Sequence, residues 1–225
     1  MTTTYILAAV TALLAYFIGI IYSSVILSKV FFKKDIREEG SGNAGATNML
    51  RTHGKGFALI TLAFDILKGV VAVWLAKLIG NVISGETDMF VTNYIIPSFK
   101  FIGGFFVVIG HNYPIFFSFK GGKGVATSLG VLLTLNYQVG LIVLIFALII
   151  MILTRYVSLG SILSGIIYIA VDISYMWFKE GEIFLPELLF TMLMAALLIY
   201  RHKANIVRLK NGTENKLGKK KEESK

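Results

Sequence analysis

The sequence predicts an all-α integral membrane protein of about seven transmembrane helices, with the N-terminus outside and the C-terminus cytoplasmic. Three observations predict it. Hydrophobic residues make up 56% of the 225 positions and charged residues only 16%, at a mean hydropathy of +0.74, whereas soluble domains run at about 45–50% apolar even counting glycine. The apolar residues gather into runs near the roughly 20 residues that cross a bilayer. The net charge of +9 lies mostly in connections on one side. Too few charged side chains remain to coat a soluble domain, and the wealth of Leu, Ile, Val and Phe excludes disorder.

Taken in order, Tyr5–Phe32 opens the set with no charge before Lys29, and it is longer than the apolar core of a signal peptide, so it is read as retained. Phe57–Ile79 follows, unusual for Asp65, Lys68 and Lys77. Pro97–Phe119 is broken near its end by Gly110-His-Asn-Tyr-Pro114. Val125–Leu135 is short, Val139–Thr154 densely apolar, and Tyr156–Phe178 and Ile183–Tyr200 complete seven. A version with five spans fits the charges as well. Residues 1–210 read as one transmembrane domain and 211–225 as a basic cytoplasmic tail, in which Lys219–Lys221 is drawn to anionic lipid.

Charge orients these spans. The 33–56 loop, the 120–124 turn, Arg155 and the tail from Arg201 carry seventeen of the 22 Lys and Arg, while Glu86, Asp88, Glu180 and Glu182 dominate the other side. The rule that basic loops stay inside makes the basic side cytoplasmic. Asp65 and Lys68, at i and i+3, share a helix face and can neutralise each other. A lone charge at mid-bilayer costs about 2.5–3.5 kcal/mol or more, so Asp172 in the sixth span faces a bundle interior.

Four polar, glycine-rich stretches interrupt the chain, all on the basic side. They are Gly40-Ser-Gly-Asn-Ala-Gly-Ala-Thr-Asn48 with Arg51, Gly110-His-Asn-Tyr-Pro114 running to Lys120-Gly-Gly-Lys-Gly-Val-Ala-Thr127, Arg155-Tyr-Val-Ser-Leu-Gly-Ser161, and Arg201-His-Lys-Ala-Asn-Ile-Val-Arg208 reaching Gly212 and Glu214. Consecutive amides in glycine turns and at helix N-termini bind anions, and Arg or Lys adds full charge. Ser41, Asn43, Thr47, Asn48 and Arg51 therefore form one candidate phosphate cradle. Lys120, Gly121, Gly122, Lys123, Gly124 and Thr127 form a second, and neither has the spacing of a Walker A loop. His202 and Asn205, at i and i+3 beside Arg201, suit acid–base or oxyanion chemistry. The chain has no cysteine, so it lacks disulfides and a thiol nucleophile, and His53, His111 and His202 stand too far apart to suggest zinc.

These stretches, with Asp65-Ile-Leu-Lys-Gly69, closely resemble in order the motifs of the bacterial acyl-phosphate:glycerol-3-phosphate acyltransferases, from about residue 40 to 214. The resemblance implies a seven-helix inner-membrane enzyme with a cytoplasmic-face site. It implies transfer of a fatty acyl group from acyl phosphate to the 1-hydroxyl of glycerol 3-phosphate, giving lysophosphatidic acid and phosphate, the first acylation of bacterial phospholipid synthesis. On matching positions, Ser41 and Arg51 hold phosphate and the Gly121–Thr127 turn with Lys123 meets glycerol 3-phosphate. Ser158, His202 and Asn205 are catalytic, His111 and Arg201 belong to the site, and Glu214 is a required acid. No cofactor or metal is implied. The implied partners are the two substrates, membrane lipid and the enzyme that makes acyl phosphate, with no nucleic acid. The departures are a longer stretch between the fifth and seventh spans and the lysine-rich tail.

An acyl phosphate is already activated, so the expectation is direct attack by the hydroxyl with no acyl-enzyme. Neither a Gly-X-Ser-X-Gly elbow nor a His-X4-Asp pair is present. A substrate phosphate oxygen takes the proton while His202 and Asn205 orient the hydroxyl; the competing version makes His202 the base. The alternative function is a transporter for phosphorylated solutes, prompted by the broken third span, the intramembrane charges and a faint likeness between residues 42–47 and 122–127.

Overall fold

The computed structural model describes residues 2–82 and 91–218, and no strand occurs among them. Glu86 and Asp88, expected on the acidic side, and the Lys219–Lys221 run of the tail lie outside the described residues. The first span, Thr2–Phe32, is built from α1 (Thr2–Ile20), α2 (Ser23–Leu27) and a π-helical turn over Ser28–Phe32. Tyr22 breaks it with an extended backbone, and its side chain is buried. A loop carrying the short helix α3 (Ala46–Thr52) leads to α4 (Lys55–Val82).

The helix α5 (Ile96–Asn112) stops ahead of Pro114, because proline has no N–H to donate and disfavours helical geometry in the residue before it. After a 3-10 turn at Ile115–Phe117 come α6 (Val125–Leu135) and α7 (Tyr137–Thr154). They are separated by Asn136, whose Oδ1 caps α7 by accepting from the amides of Gln138 and Val139. Then follow α8 (Val157–Tyr175), prolonged by a π turn at Met176–Glu180, α9 (Leu185–Arg201) with Pro186 in its first turn, and α10 (Lys203–Lys210).

Five stretches among the described residues are long and apolar enough to cross a membrane: 2–32, 55–82, 93–117, 137–154 and 157–180. The α9–α10 pair, bent by 56° at His202, makes a sixth if counted as one span. The protein is a multi-pass membrane protein. The expected fourth span has the anticipated limits, but 11 residues rise only about 16 Å, half of a roughly 30 Å core.

Packing follows the logic of lipid. Large apolar side chains such as Leu59, Trp74, Ile145 and Ile152 point outward, where they meet acyl chains at no cost. Small residues let the backbones close up inside. A Cβ on Gly19 would fall 2.2 Å from the Val107 carbonyl, and one on Gly69 would fall 2.4 Å from that of Thr127, so α1 seats on α5 and α4 on α6. Because α6 is joined to α7 by one residue and is seven residues shorter, its N-terminus stops about 10 Å short of the end of α7. The glycine turn before α6 is thereby sunk into the end of the bundle.

Candidate functional site

The Lys120–Gly124 turn rests on a buried polar column. Lys68 Nζ lies 2.7 Å from Asp65 Oδ1 and 2.7 Å from His111 Nδ1, and donates to the Ile21 carbonyl at 3.2 Å. An ammonium can only donate, so His111 Nδ1 accepts and Nε2 carries the ring proton. The His111 carbonyl accepts from the Gly122 amide at 3.1 Å and from the Tyr22 hydroxyl, while the Tyr22 ring stacks on the imidazole. A Cβ on Gly122 would sit 2.1 Å from His111 Nε2, so only glycine fits there. Gly124 has φ +77° and would press a Cβ against the Asn112 amide.

Above this column the other motifs converge. Arg201 donates to the Gly121 carbonyl at 3.0 Å and to that of Gly122 at 2.7 Å, with its guanidinium over the Tyr113 ring. Lys123 Nζ donates to Asn205 Oδ1 at 2.5 Å, and Asn205 Nδ2 donates to Glu214 Oε1 at 2.8 Å. Ser158 Oγ donates to the same Oε1 at 3.0 Å, and Arg208 Nε to Oε2 at 2.7 Å. The segment after α10 is held in place by Arg155, whose carbonyl accepts from the Leu217 amide and whose guanidinium donates to the Leu217 carbonyl. His202 Nδ1 is 2.8 Å from the Leu198 carbonyl; a carbonyl only accepts, so Nδ1 is the protonated nitrogen and Nε2 keeps its lone pair.

The electrostatics favour an anion. Burial pushes the Lys123 ammonium down to about 8; Glu214 opposes this, while Arg208, Arg51 and Arg201 add to it. Lys123 with the three guanidinium groups thus shares its field with one carboxylate. Burial pushes Glu214 up, yet the hydrogen bonds from Arg208, Asn205 and Ser158 outweigh it and hold the carboxyl below its usual range.

Two further polar groups belong here. The Asn112 amide and the Thr127 hydroxyl are fully buried and have no hydrogen-bond partner among the described residues. Leaving such groups unsatisfied costs about 1–3 kcal/mol each. They flank the start of α6, whose first amides have no intrahelical acceptor and no side-chain cap from Gly124. Oxygens of an anionic ligand suit this position.

The first motif forms a separate wall. Asn48 is buried, accepts from the Ser41 amide and hydroxyl at 2.8 and 3.1 Å, and donates to the carbonyls of Ile36 and Glu39. Its amide therefore fastens the loop, leaving Ser41 exposed at the rim and Asn43 and Thr47 half-buried. Arg51, exposed on α3, interacts with Glu214 and Arg208, which ties this wall to the cluster. An apolar groove of about 100 Å³ begins at Val125 beside the glycine turn and runs down between α6, α7, α8 and α9.

The structure thus brings Gly121, Gly122, Lys123, Gly124, Thr127, Ser158, Arg201, His202, Asn205 and Glu214 together, with Arg51 at the edge. His111 supports the turn from beneath, and Lys120 is exposed, with no side-chain hydrogen bond or ion pair among the described residues. Sequence reasoning missed Tyr22, whose phenol lies in an apolar run. It also missed Asn112, which lay inside a motif without being singled out.

The family model described as Glycerol-3-phosphate acyltransferase matches residues 9–212. A glycerol-3-phosphate acyltransferase of Thermoanaerobacter pseudethanolicus is 44% identical over 215 residues, covering 96% of this chain and 98% of its own. One of Shouchella clausii is 42% identical over 211 residues, covering 93% and 96%. The crystal structure of PlsY (YgiH), an integral membrane glycerol 3-phosphate acyltransferase, in its glycerol 3-phosphate form, superposes with a TM-score of 0.77 at 35% identity, covering 94% and 96%. Its lysophosphatidic acid form gives 0.74 at 34%, covering 94% and 95%.

Proposed function

The chain belongs to the glycerol-3-phosphate acyltransferase family and is an acyltransferase, and on that premise we propose that it acylates the 1-hydroxyl of glycerol 3-phosphate with an acyl phosphate, releasing lysophosphatidic acid and inorganic phosphate. The observation that carries this reading is the junction of the Lys123–Asn205–Glu214 cluster with the apolar groove that starts at Val125. One end takes phosphate and the other takes a fatty chain. The convergence of every motif at one end of the bundle, not at mid-membrane, favours an enzyme over the transporter that the sequence left open.

Both substrates carry phosphate, so the first task is to hold two anions together against their repulsion, which Arg51, Lys123, Arg201 and Arg208 do. Lys123, Asn112, Thr127 and the amides opening α6 hold the glycerol 3-phosphate phosphate. Ser41 and Arg51 hold that of the donor. His202 Nε2 accepts a hydrogen bond from the 1-hydroxyl and aims it at the acyl carbonyl. The C–O bond to glycerol forms as the carbonyl–phosphate bond breaks, and the hydroxyl proton passes to the departing phosphate. Ser158 is no nucleophile, since its proton is donated to a carboxylate held below its usual range and that carboxylate is a poor base.

The free lone pair of His202 Nε2 also supports a second reading, in which the imidazole takes the proton itself. Burial pushes His202 down to about 4, so if His202→Gln lowers kcat yet leaves the acid side of its pH dependence near that value unchanged, the base role fails.

The site end gathers the basic connections. The helices α5, α7 and α9 end there and α4, α6 and α8 begin there, which supports a reading of seven passes with one of them, α6, at half depth. On this reading the N-terminus is outside and the C-terminal segment cytoplasmic. The protein resides in the cell's inner membrane and draws its donor from an enzyme that makes acyl phosphate. Purified protein in detergent, given palmitoyl phosphate and glycerol 3-phosphate, is expected to release phosphate and form lysophosphatidic acid in equal amounts. Phosphate release without acylated product, or no release, rejects the donor.

A further inference from the structure

The first span breaks at Tyr22 with no proline to force it. Tyr22 has an extended backbone (φ −96°, ψ 92°) between α1 and α2. Three residues ahead, Gly19 seats α1 against the end of α5 at Val107 and His111. Lipid offers no partner to backbone groups freed by such a break, so a broken span is kept only where protein takes them up. Here Lys68 Nζ takes the Ile21 carbonyl at 3.2 Å, and the Ser23 hydroxyl donates to the Thr61 carbonyl at 3.4 Å. What the break delivers is the Tyr22 side chain, 2% exposed, to the underside of the glycine turn.

The phenol closes a three-way contact there. Its hydroxyl donates to the His111 carbonyl and accepts from the Gly122 amide at 3.3 Å, while the same amide reaches the His111 carbonyl at 3.1 Å. Its ring is held by the His111 imidazole, stacked at 5.3 Å, and by a T-shaped contact with Phe117. A Cβ on Gly121 would fall 2.1 Å from the phenol oxygen, so the phenol requires glycine at 121 as the imidazole requires it at 122. From the other side Arg201 takes the carbonyls of both glycines. The turn is thus clamped between Tyr22 and Arg201. The next amides, those of Lys123 and Gly124, find no acceptor among the described residues, which leaves them for a bound anion together with those that open α6.

We propose that Tyr22 is a positioning residue for the acyl transfer, whose hydroxyl seats the Gly121–Gly122 peptide and so aims the turn that binds the phosphate of glycerol 3-phosphate. This rests on the reading above that the turn holds that phosphate. Without the hydroxyl the His111 carbonyl keeps only the Gly122 amide, and a space opens beside Gly121 into which the turn can settle. Lys123 then meets the phosphate from a shifted position. Ser41 and Arg51 lie on the other wall, so donor binding is spared.

Two measurements on the purified full chain in detergent test the proposal: the glycerol 3-phosphate dissociation constant by calorimetry, and steady-state constants with palmitoyl phosphate. Tyr22→Phe keeps the ring and loses the hydroxyl. It should raise the dissociation constant and the KM for glycerol 3-phosphate about tenfold, with kcat, the palmitoyl phosphate KM and thermal unfolding little changed. The amine of para-aminophenylalanine at position 22 again donates to the His111 carbonyl and should recover most of the affinity. Unaltered affinity in Tyr22→Phe overturns the proposal, as does a loss that the amine leaves in place. A rise in both KM values with a lower unfolding temperature also overturns it, since that marks lost packing alone. Should Tyr22→Phe fail to fold, Gly121→Ala, whose methyl strikes the phenol oxygen, carries the test. It should weaken glycerol 3-phosphate binding about a hundredfold, and wild-type affinity overturns the proposal. Wild-type protein that binds glycerol 3-phosphate but leaves palmitoyl phosphate intact refutes the donor, and the variants' dissociation constants still decide the role of Tyr22. Wild-type protein that binds no glycerol 3-phosphate overturns both readings.

Discussion

Lys123 Nζ donates to Asn205 Oδ1 at 2.5 Å across 82 residues of chain. This bond joins the glycine turn before α6 to α10, just past the bend at His202. The amide of Asn205 passes the connection on to Glu214, so the ammonium is aimed by a neutral group and keeps most of its charge for a ligand. A direct Lys–Glu pair would cancel that charge. The arrangement accounts for an asparagine at 205, where an acid would pair with the ammonium directly.

The first prediction is a pH dependence. Burial lowers Lys123 to about 8, so the free enzyme carries this charge below that pH and loses it as the pH rises through it. A phosphate monoester, with a second pKa near 6, stays doubly charged over this range. The kcat/KM for glycerol 3-phosphate, which reports the free enzyme, should therefore decline above about pH 8. Lys123→Ala should remove that decline and lower kcat/KM about a hundredfold, some 2.7 kcal/mol. Initial rates between about pH 7 and 9.5 check both.

A second prediction concerns the column under the turn. Lys68→Met leaves Asp65, 3% exposed, as an uncompensated buried charge, at a cost of about 3–5 kcal/mol. Replacing both, as Asp65→Leu with Lys68→Met, should recover most of that stability in micelle unfolding. It should not recover the KM for glycerol 3-phosphate, because His111 Nδ1 still loses the donor that orients it beneath Gly122. Recovery of both would reduce the column to packing alone.

Which parts were legible beforehand follows from this contrast. In a chain this apolar, Lys123, His202, Asn205 and Glu214 stand out because lipid gives polar residues no other employment. Tyr22 did not stand out, since a phenol in an apolar run reads as an ordinary membrane aromatic and nothing in the sequence marks the break that turns it inward. Lys120 was grouped with Lys123 by adjacency. The left-handed backbone of Ser118 and Phe119 instead brings the chain to the turn with Lys120 exposed and Lys123 half-buried. Hydropathy drew the limits of α6 correctly, yet apolar content alone does not tell a half-depth helix from a full span. That half depth is what lowers the turn into the bundle.

A third prediction is steric. Gly122→Ala places a methyl 2.1 Å from His111 Nε2, and the imidazole is locked by Lys68 and the stacked Tyr22 ring, so the turn must move instead. A misplacement of about 1 Å costs on the order of a hundredfold. The expected loss falls mainly on glycerol 3-phosphate KM, with unfolding in detergent little changed. Activity within a few fold of wild type would show that the turn does not need its observed seat.

The last prediction separates direct attack from an acyl-enzyme at Ser158. Ser158 Oγ and Asn205 Nδ2 share one oxygen of Glu214, so the serine steadies the carboxylate that aligns Asn205 and, through it, Lys123. If that is its work, Ser158→Ala removes one of several bonds to Glu214 and costs about ten- to a hundredfold, whereas loss of a true nucleophile costs about 10⁶-fold. Residues acting through a common partner are not additive, so Ser158→Ala and Glu214→Ala together should cost little more than Glu214→Ala alone. Glu214 is held below its usual range, and it stays charged as the pH falls until that lowered value is reached. No break in rate from this carboxyl is therefore expected between about pH 5 and 7, above the ordinary value of about 4.3. Rapid-quench trapping of labelled acyl chain on the wild-type protein should yield no covalent adduct. An adduct lost in Ser158→Ala would transfer the chemistry to the serine.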